Sequence, residues 1–303
     1  MRALVTGATG FVGPHLIAHL RDQGDEVVLP GDATGTNGSF DITDRAAVHD
    51  VFDAQRPEVV YHLAAWSDVG ASWRDPIACL RVNVEGTANI LDAARASGVG
   101  RVLVVGSSEE YGKIDDDGGR LREDAPLRPI TPYGASKVAA SFLALQAWLG
   151  GELETIRVRA FSHTGAGQSD RFVVPALAQR IVAAERANAT SIKTGARSPV
   201  RELADVRDVV RAYRLLVEHG EPGAVYNVCR GSGVSIGEIA DRLVARAGGR
   251  VTAEVDEALV RPVEVPRLVG DPTRLVEATG WQPEYSLDDT LDAVLEHARA
   301  QGS

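Results

Sequence analysis

A tyrosine and a lysine four residues apart are the residues of this sequence best suited to move a proton. Tyr133 and Lys137 lie in the stretch Tyr-Gly-Ala-Ser-Lys, and on a helix this spacing places the two side chains one above the other on one face. A lysine ammonium beside a phenol favours the phenolate and lowers the phenol pKa. The pair could act as an acid or base at a carbonyl or carbinol oxygen, with the Ser107 hydroxyl holding the same oxygen. A solvated pair on a helix surface is the alternative.

A glycine-rich turn near the N-terminus is the second chemical signal. Residues 6–13 read Thr-Gly-Ala-Thr-Gly-Phe-Val-Gly and lie between a predicted strand and a predicted helix. Glycines permit a tight turn that brings the backbone close to a pyrophosphate, and the helix N-terminus offers N–H groups to the anion. We predict a nicotinamide dinucleotide site, and a tight turn without ligand is the alternative. The expected contacts at this turn are Gly7, Thr9, Gly10, Phe11, Val12 and Gly13.

The end of the second predicted strand indicates which dinucleotide is bound. This strand ends at Leu-Pro-Gly-Asp, and no arginine follows Asp32 within the next dozen residues. An acidic side chain at this point favours a free ribose 2′-hydroxyl and repels a 2′-phosphate. We therefore expect NAD(H) to be favoured over NADP(H). Asp41 and Ile42 follow as adenine contacts or, alternatively, as the region that caps the next helix.

The elements that must position these residues alternate along the first half of the chain. Apolar runs predict strands at residues 2–6, 26–29, 58–63, 101–106, 155–159 and 224–228. Helical patterns fall at residues 12–23, 46–54, 80–97, 137–150, 173–187, 205–219, 236–247 and 287–300. This alternation predicts an α/β fold, a Rossmann-type doubly wound parallel sheet with a smaller α/β C-terminal substrate lobe. We assign the Rossmann domain to residues 1–160, with a returning contribution from about 196–230, and the lobe to residues 161–195 and 231–303.

The composition excludes several classes of protein. The 303 residues include 32 Lys and Arg against 42 Asp and Glu, a net charge of −10 that argues against nucleic-acid or membrane partners. A hydrophobic content of 44% with 24% charged residues excludes disordered and fibrous classes. Cys79 and Cys229 form neither a metal spacing nor a disulfide framework, so we expect no metal site. Without a recognisable targeting or membrane segment, a cytoplasmic protein is expected.

These motifs together resemble the extended short-chain dehydrogenase/reductase superfamily, also called the NAD-dependent epimerase/dehydratase family, whose members act on nucleotide sugars. The resemblance spans nearly the whole chain and includes the glycine turn, Ser107 followed by Tyr111, and the Tyr133/Lys137 pair. Residues 62–65 and 83–87 are similar to family segments that flank the cofactor. The resemblance implies further cofactor contacts at Leu63, Ala64, Ala65, Asn83, Tyr133 and Lys137.

Two segments are most similar to GDP-4-keto-6-deoxy-D-mannose reductases. Residues 107–112, Ser-Ser-Glu-Glu-Tyr-Gly, resemble the reductases' Ser-Gly-Glu-Glu-Tyr-Gly, and residues 159–165 resemble their Arg-Ala-Phe-Asn-His-Thr-Gly. In the second segment the family asparagine is replaced by Ser162. A length near 300 also suits these reductases better than the longer GDP-mannose dehydratases. The resemblance implies reduction of the C4 keto group of a nucleotide-linked 4-keto-6-deoxyhexose, with a GDP-linked sugar favoured.

The same resemblance implies a set of substrate contacts. Arg201 and Arg261 would grip the diphosphate, because guanidinium groups match phosphate oxygens, although a surface salt bridge is the alternative for each. Glu109 would act either as a catalytic acid or base, as in the dehydratases, or only as a hydrogen-bonding partner of the sugar. The expected substrate contacts are Ser108, Glu109, Ser162, His163, Arg201, Arg261 and Glu264.

Two other functions stay open at this point. One is a 4,6-dehydratase of the GDP-mannose type or a C4 epimerase that recycles a tightly bound NAD. The other is a non-catalytic dinucleotide sensor, which would have no need of Tyr133 and Lys137.

The predicted helices at 80–97 and 137–150 are apolar on more than one face. Because family members commonly pair through these helices, we expect a homodimer.

Overall fold

The protein is described by a computed structural model that covers residues 1–31, 40–114, 119–151, 153–259 and 265–301. In these ranges the strands are β1 (Arg2–Thr6), β2 (Glu26–Val28), β3 (Val59–His62), β4 (Arg101–Ser107), β5 (Glu154–Ala160), β6 (His163–Thr164), β7 (Ser191–Thr194), β8 (Val200–Glu202), β9 (Ala204–Asp205), β10 (Val225–Val228), β11 (Gly233–Ser235), β12 (Thr252–Val255) and β13 (Arg267–Leu268). The α-helices are α1 (Val12–Asp22), α2 (Arg45–Gln55), α3 (Val69–Arg74), α4 (Pro76–Leu80), α5 (Gly86–Ala96), α6 (Pro132–Leu149), α7 (Val173–Ala187), α8 (Val206–His219), α9 (Ile236–Arg246), α10 (Thr273–Thr279) and α11 (Leu287–Gln301).

Six strands of the described chain form one parallel sheet in the order β10-β5-β4-β3-β1-β2. Their apolar residues are buried because helices cover both faces of the sheet. The strand order reverses at β1, which pairs with β2 on one side and β3 on the other. At such a reversal the carboxyl ends of the strands leave a crevice in which ligands bind. The predicted fold class, a Rossmann-type doubly wound sheet with a smaller second lobe, is confirmed.

A separate apolar cluster stabilises each face of the sheet. On one face Leu16 and Leu20 of α1 pack with Val209 and Tyr213 of α8. On the other face the helices α2, α5 and α6 contribute a second cluster that includes Phe52. A third cluster lies in the second lobe, where α7, α9 and α11 pack together. The sheet is therefore a rigid support for the residues at its carboxyl edge.

The helix predicted at 80–97 is wrong in its detail, because the chain changes helix type there. The α4 helix ends at Leu80, the segment Arg81–Glu85 is a π-helical turn, and α5 begins at Gly86. The side chain of Asn83, in the middle of this turn, bonds to groups outside the helix, as described below. Short π-helical turns of this kind are frequent at functional sites.

The helix predicted at 137–150 extends from Pro132 to Leu149 and includes Tyr133, as the four-residue spacing to Lys137 requires. Thr131 caps its N-terminus by accepting a hydrogen bond from the Gly134 N–H at 2.9 Å, and Pro132 occupies the first helical position. Tyr133 and Lys137 therefore lie on one continuous helix. This places both side chains on the helix face that the four-residue spacing predicted.

The second lobe supplies short sheets beside the carboxyl edge of the main sheet. The strand β8, which carries Arg201, pairs antiparallel with β11 and parallel with β13. Other short pairs are β12 with β7 and β6 with β9. Over the ranges given above, no helix has the length and apolar character needed to cross a membrane.

Candidate active site

The glycine turn between β1 and α1 is so closely packed that neither Gly7 nor Gly13 could carry a side chain. Gly7 has a φ of +70°, and a Cβ on it would lie 2.7 Å from the Ala64 nitrogen. A Cβ on Gly13 would overlap the Ala8 carbonyl oxygen. No described side chain caps the N-terminus of α1, whose N-cap is Phe11, and its first turn contains no acidic residue. The Gly10 N–H donates to the Gly7 carbonyl oxygen at 3.0 Å, but the N–H groups at the start of α1 are available to a pyrophosphate, which is what a bound dinucleotide requires.

A buried histidine fixes the segment that faces the glycine turn. His62 Nδ1 lies 2.8 Å from Thr6 Oγ1, and Nε2 lies 3.1 Å from Thr87 Oγ1. Burial, with a smaller effect of Lys137, lowers the pKa of His62 to about 3. The ring is therefore neutral and links the ends of β1 and β3 to α5. The Ala64 N–H also donates to Thr6 Oγ1, at 3.2 Å, so the segment after β3 is tied to β1.

Ser107, Tyr133 and Lys137 meet on one wall of the crevice. Ser107 is the last residue of β4, and the other two lie in the first turns of α6. The Ser107 side chain lies close enough to that of Tyr133 to lower the pKa of the phenol. Lys137 Nζ donates to the Val105 carbonyl oxygen at 2.9 Å and lies 5.9 Å from the centroid of the Tyr133 ring. All three side chains are largely buried and line the same cavity.

The electrostatics of the phenol differ from the sequence prediction. Burial raises the pKa of Tyr133, the charges of Glu109 and Glu110 raise it further, and the hydrogen bond from Ser107 opposes them. The pKa of Tyr133 is therefore raised overall, and the predicted lowering toward neutral pH is wrong. Burial also lowers the pKa of Lys137 to about 8, although Glu110 opposes this shift. A phenol that stays protonated at neutral pH is suited to donate a proton rather than to accept one.

A buried ion pair lies directly beneath the serine. Glu110 Oε1 accepts from the Ser107 N–H at 2.9 Å, and Glu110 Oε2 accepts from Arg159 Nε at 3.1 Å. Burial raises the pKa of Glu110, while the Arg159 charge opposes the increase. Arg159 Nη1 donates further to the Tyr111 hydroxyl, at 3.0 Å. This pair was missed by the sequence analysis, and it fixes the backbone from which Ser107 projects.

The glycine turn and the catalytic wall enclose a cavity of about 540 Å³. The predicted residues that line it are Gly7, Thr9, Gly10, Phe11, Val12, Gly13, Leu63, Ala64, Ala65, Ser107, Ser108, Glu109, Tyr133, Lys137, Ser162 and His163. A second cavity of about 640 Å³, which Arg201 lines, shares Phe11, Glu109 and Ser162 with the first. The two cavities therefore form one cleft, and most of the predicted site residues lie along it.

Three predicted cofactor contacts do not line this cleft. Asp41 accepts hydrogen bonds from the N–H and hydroxyl of Thr43, at 2.9 and 2.8 Å, so its carboxylate stabilises the turn before α2. Ile42 is buried in the core cluster beside α5. The Asn83 side chain accepts from the Trp66 N–H at 2.7 Å and donates to Ser136 Oγ at 2.8 Å.

Asn83, in the π-helical turn, therefore fixes the loop after β3 by hydrogen bonds and does not line the cavity. Three further predicted residues, Asp32, Arg261 and Glu264, lie outside the described residues.

The second cavity contains arginines that the sequence analysis did not identify. Arg171 and Arg180 line it together with Arg201. Arg180 lies on α7 and donates to the Lys193 carbonyl oxygen at 2.8 Å, and Arg201 donates to that of Val200 at 2.9 Å. No motif marks these two arginines. Arg171 lies in the loop before α7, and Arg180 lies on α7 itself. Together they make this end of the cleft suitable for phosphate groups.

His163, which lines the first cavity, is held in a single neutral form. Its Nδ1 lies 2.9 Å from the Phe161 carbonyl oxygen and therefore donates to it, which leaves Nε2 as an acceptor. Burial lowers the pKa of His163. Its ring stacks on Phe11 with 6.1 Å between the centroids. A hydrogen-bonding or positioning role suits this geometry. In the described ranges, no group of three or more His, Cys, Asp or Glu side chains could hold a metal ion.

Comparisons with known proteins agree with this geometry. The model of the NAD dependent epimerase/dehydratase family matches residues 3–229. The chain is 34% identical over 296 residues to GDP-6-deoxy-D-mannose reductase of Pseudomonas aeruginosa, covering 97% of this chain and 96% of that protein. The structure of RMD from Pseudomonas aeruginosa complexed with NADPH superposes with a TM-score of 0.91 at 33% identity, covering 99% of both chains. The UDP-glucose 4-epimerase of Thermus thermophilus in complex with NAD superposes with a TM-score of 0.85 at 29% identity, also covering 99% of both chains.

Proposed function

The chain belongs to the NAD dependent epimerase/dehydratase family, and from this premise we propose that it reduces the C4 keto group of a nucleotide-linked 4-keto-6-deoxyhexose, with a GDP-linked sugar as substrate. The membership confirms the resemblance inferred from the sequence motifs. The observation that carries the proposal is the wall formed by Ser107, Tyr133 and Lys137, between the glycine turn and the arginine-lined cavity. The similarity to a GDP-6-deoxy-D-mannose reductase supports the choice of reaction and of sugar nucleotide.

Ser107, Tyr133 and Lys137 would each have a separate role in the reduction. The glycine turn and Lys137 would hold a nicotinamide cofactor, and its chemistry there would be transfer of a hydride to C4. Ser107 donates a hydrogen bond to the keto oxygen, and Tyr133 gives its proton to that oxygen as the negative charge develops there. The raised pKa of Tyr133 keeps this proton available at neutral pH. Lys137, charged below about pH 8, stabilises the phenolate that remains and holds the nicotinamide ribose.

The second cavity would hold the sugar nucleotide by its diphosphate. Arg201, Arg171 and Arg180 provide positive charge there. The N-terminus of α7 opens onto the same cavity and has neither a described side-chain cap nor an acidic residue in its first turn. Ser162 lies where the two cavities meet, so its short side chain would leave room beside the hexose. These features favour a diphosphate-linked substrate over a free sugar.

The direct test mixes the purified protein with GDP-4-keto-6-deoxy-D-mannose and reduced cofactor. We expect oxidation of the cofactor in proportion to the reduced sugar formed, and we expect Tyr133→Phe to slow it by orders of magnitude. Absence of cofactor oxidation with either NADH or NADPH would overturn the reductase proposal. Running NADH and NADPH side by side also tests the preference for NAD(H), which rests on Asp32 in the sequence. A higher kcat/KM with NADPH would reject that preference.

The position of Glu109 supports a second candidate, a dehydratase or C4 epimerase that recycles its cofactor. Glu109 lines both cavities and lies close enough to Tyr133 for its charge to raise the phenol pKa. A carboxylate at this place could take a proton from the sugar. This candidate predicts that NAD co-purifies with the protein and that GDP-mannose is converted without added cofactor. If neither occurs, the reductase remains the only reaction supported by this site.

We further propose that the protein forms the expected homodimer, with α6 in the place of the predicted helix 137–150 and with α3 and α4, rather than most of the predicted helix 80–97, beside it. Trp73 and Ile77, on α3 and α4, are 61% and 72% exposed. Phe142 and Leu149, on α6, are 52% and 73% exposed. Apolar side chains exposed together are typical of a subunit interface. A Phe142→Asp/Leu149→Asp variant should change a dimeric mass in light scattering to a monomeric one, whereas Val255→Asp on β12 should not. A monomeric wild-type protein at micromolar concentration would reject the proposal.

A further inference from the structure

A third cavity, outside the catalytic cleft, is lined mainly by basic side chains. It has a volume of about 320 Å³ and lies between residues 119–128 and β13. We call it the basic pocket, and its basic lining residues are Lys113, Arg120, Arg122, Arg128 and Arg267. Asp124 is the one acidic residue among the described residues of its lining. This local excess of positive charge contrasts with the net charge of −10 of the whole chain.

Most of these cations lack a partner within the described part of the chain. There, the side chains of Lys113, Arg120, Arg122 and Arg267 form no hydrogen bond or ion pair, although the first two arginines lie close enough to Asp271 to lower its pKa. The Nε atom of Arg267 is buried and has no hydrogen-bond partner in the described residues. A buried donor without a partner costs free energy, and like charges grouped together repel each other. An anion in the basic pocket would remove both costs.

The walls of the basic pocket are held by backbone hydrogen bonds. The Leu121 N–H donates to the Val269 carbonyl oxygen, and the Asp271 N–H donates to the Leu121 carbonyl oxygen, both at 2.8 Å. The Lys113 N–H donates to the Arg128 carbonyl oxygen at 2.9 Å. The cations are therefore presented from a fixed backbone, so less entropy is lost when they bind a ligand.

The basic pocket is separate from the cleft but connected to it through the fold. None of its described lining residues lines either cavity of the cleft. Behind it, the Asn227 N–H donates to Glu123 Oε1 at 2.8 Å, and Asn227 Oδ1 accepts from the Tyr111 hydroxyl at 2.6 Å. Its other wall, β13, pairs with β8 at the register of Leu268 with Arg201. The site is thus a second one, close to the elements that position the first.

We propose that the basic pocket binds the phosphate groups of a small anionic metabolite, either free pyrophosphate or a nucleoside diphosphate. Several arginines around one cavity match the many oxygens of a diphosphate, since each guanidinium can donate two parallel hydrogen bonds. A cavity of about 320 Å³ has room for such a group. The exposed positions of Arg120 and Arg122 leave the pocket open to a ligand from solvent.

Calorimetric titration of the full chain with pyrophosphate, in the presence of saturating NAD, tests this proposal. Arg120→Ala/Arg122→Ala should lower the affinity of the basic pocket by about tenfold or more, because charge-assisted hydrogen bonds are lost. The matched control is Arg21→Ala/Arg250→Ala, which removes two exposed arginines outside the three cavities and should leave binding unchanged. Arg201→Ala, which weakens only the cleft, should retain binding to the basic pocket.

Parallel titrations with GDP and ADP separate the two sources of phosphate. Tighter binding than that of pyrophosphate would identify a nucleotide ligand, and equal binding would identify the phosphate groups alone. The proposal is overturned if the wild type shows no saturable binding beyond the cleft, or if Arg120→Ala/Arg122→Ala binds as well as the wild type.

The sequence offers one internal competitor for the basic pocket. Asp115, Asp116 and Asp117 follow Lys113 closely in the chain and lie outside the described residues. Binding of pyrophosphate only after these three are changed to Asn would mean that the chain neutralises the cluster itself. That result would also overturn the proposal.

Discussion

Replacing Arg159 by Met tests whether the buried ion pair beneath Ser107 stabilises the carboxyl end of β4. The side chains of Arg159 and Glu110 are 6% and 0% exposed, and their charged groups are 3.1 Å apart. Methionine keeps much of the arginine volume but has no charge. The variant therefore leaves the Glu110 carboxylate buried without its cation, and it also removes the hydrogen bonds to the Tyr111 hydroxyl and the Glu123 carbonyl oxygen.

The expected loss of stability is large for a single substitution. Removing one partner of a buried ion pair costs about 3–5 kcal/mol, which would lower the Tm of a chain of this size by on the order of 10 °C. Glu110→Gln/Arg159→Met removes both charges, and the Gln can still accept from the Ser107 N–H. This double variant should regain about 2 kcal/mol relative to Arg159→Met, since the unpaired charge is gone.

The pH dependence of this loss identifies its cause. Burial already raises the pKa of Glu110, and without Arg159 this shift is opposed only by the Ser107 N–H and by the weaker effect of the Lys137 charge. A carboxyl whose folded pKa lies above its unfolded value contributes stability that is present below the unfolded pKa and lost as pH rises through the folded pKa. The deficit of Arg159→Met relative to the wild type should therefore be smaller near about pH 5 than near about pH 8.

Thermal and urea unfolding followed by circular dichroism provide the measurement. Lys193→Met is the matched control, because Lys193 and Glu254 form an ion pair of 2.8 Å at an exposed position, and its loss should change stability little. If Arg159→Met were as stable as the wild type, the pair would not support β4. A double variant no more stable than the single one would show that the lost hydrogen bonds, rather than the unpaired charge, cause the effect.

The cleft allows three further tests. Tyr133→Phe should lower the rate of reduction by about 10²–10⁴ while changing cofactor affinity little, as measured by steady-state kinetics and fluorescence titration. The rate should fall as pH rises through about 8, where Lys137 loses its charge, and a kcat–pH profile of Lys137→Met should lack this step. Gly13→Ala should weaken cofactor binding by about tenfold or more in the same titration, because its Cβ overlaps the Ala8 carbonyl oxygen. Gly100→Ala, whose Cβ would lie 3.4 Å from its nearest neighbour, is the control.

The parts of the site that the sequence predicted are those with a local pattern. The glycine turn follows a strand and opens a helix, so its position and its chemistry could both be inferred from adjacent residues. Tyr133 and Lys137 are linked by one helical turn. Glu110 and Arg159 have no such local link, since they lie on different elements and meet because β4 and β5 pair with Gly106 opposite Arg159. Pairings of this kind follow from the register of the sheet, which the sequence does not specify residue by residue.

The π-helical turn illustrates the same limit within a single helix. The apolar pattern predicted one helix over residues 80–97, and the residues of that range are indeed helical through Ala96. The extra residue in the turn depends on contacts of Asn83 with Trp66 and Ser136, which come from other elements. Asn83 was expected to contact the cofactor, and the structure gives its amide these structural partners. These partners could be recognised only once the loop after β3 was in place.

The acidic composition and the proposed binding of diphosphates are compatible because of where the acids lie. In the described chain, the N-termini of α2, α3, α4 and α8 are capped by aspartate side chains, namely Asp44, Asp68, Asp75 and Asp205. The two α-helices that open onto the cleft with free N-termini, α1 and α7, have neither such a cap nor an acidic residue in the first turn.

Aspartate at a helix N-terminus satisfies the same N–H groups that would otherwise bind an anion. Of the four capping aspartates, only Asp68 lines the second cavity, and the N-termini of α1 and α7 stay open to phosphate groups. Since charges separated by more than about 8 Å are largely screened at physiological salt, the net charge of the chain places little constraint on these sites.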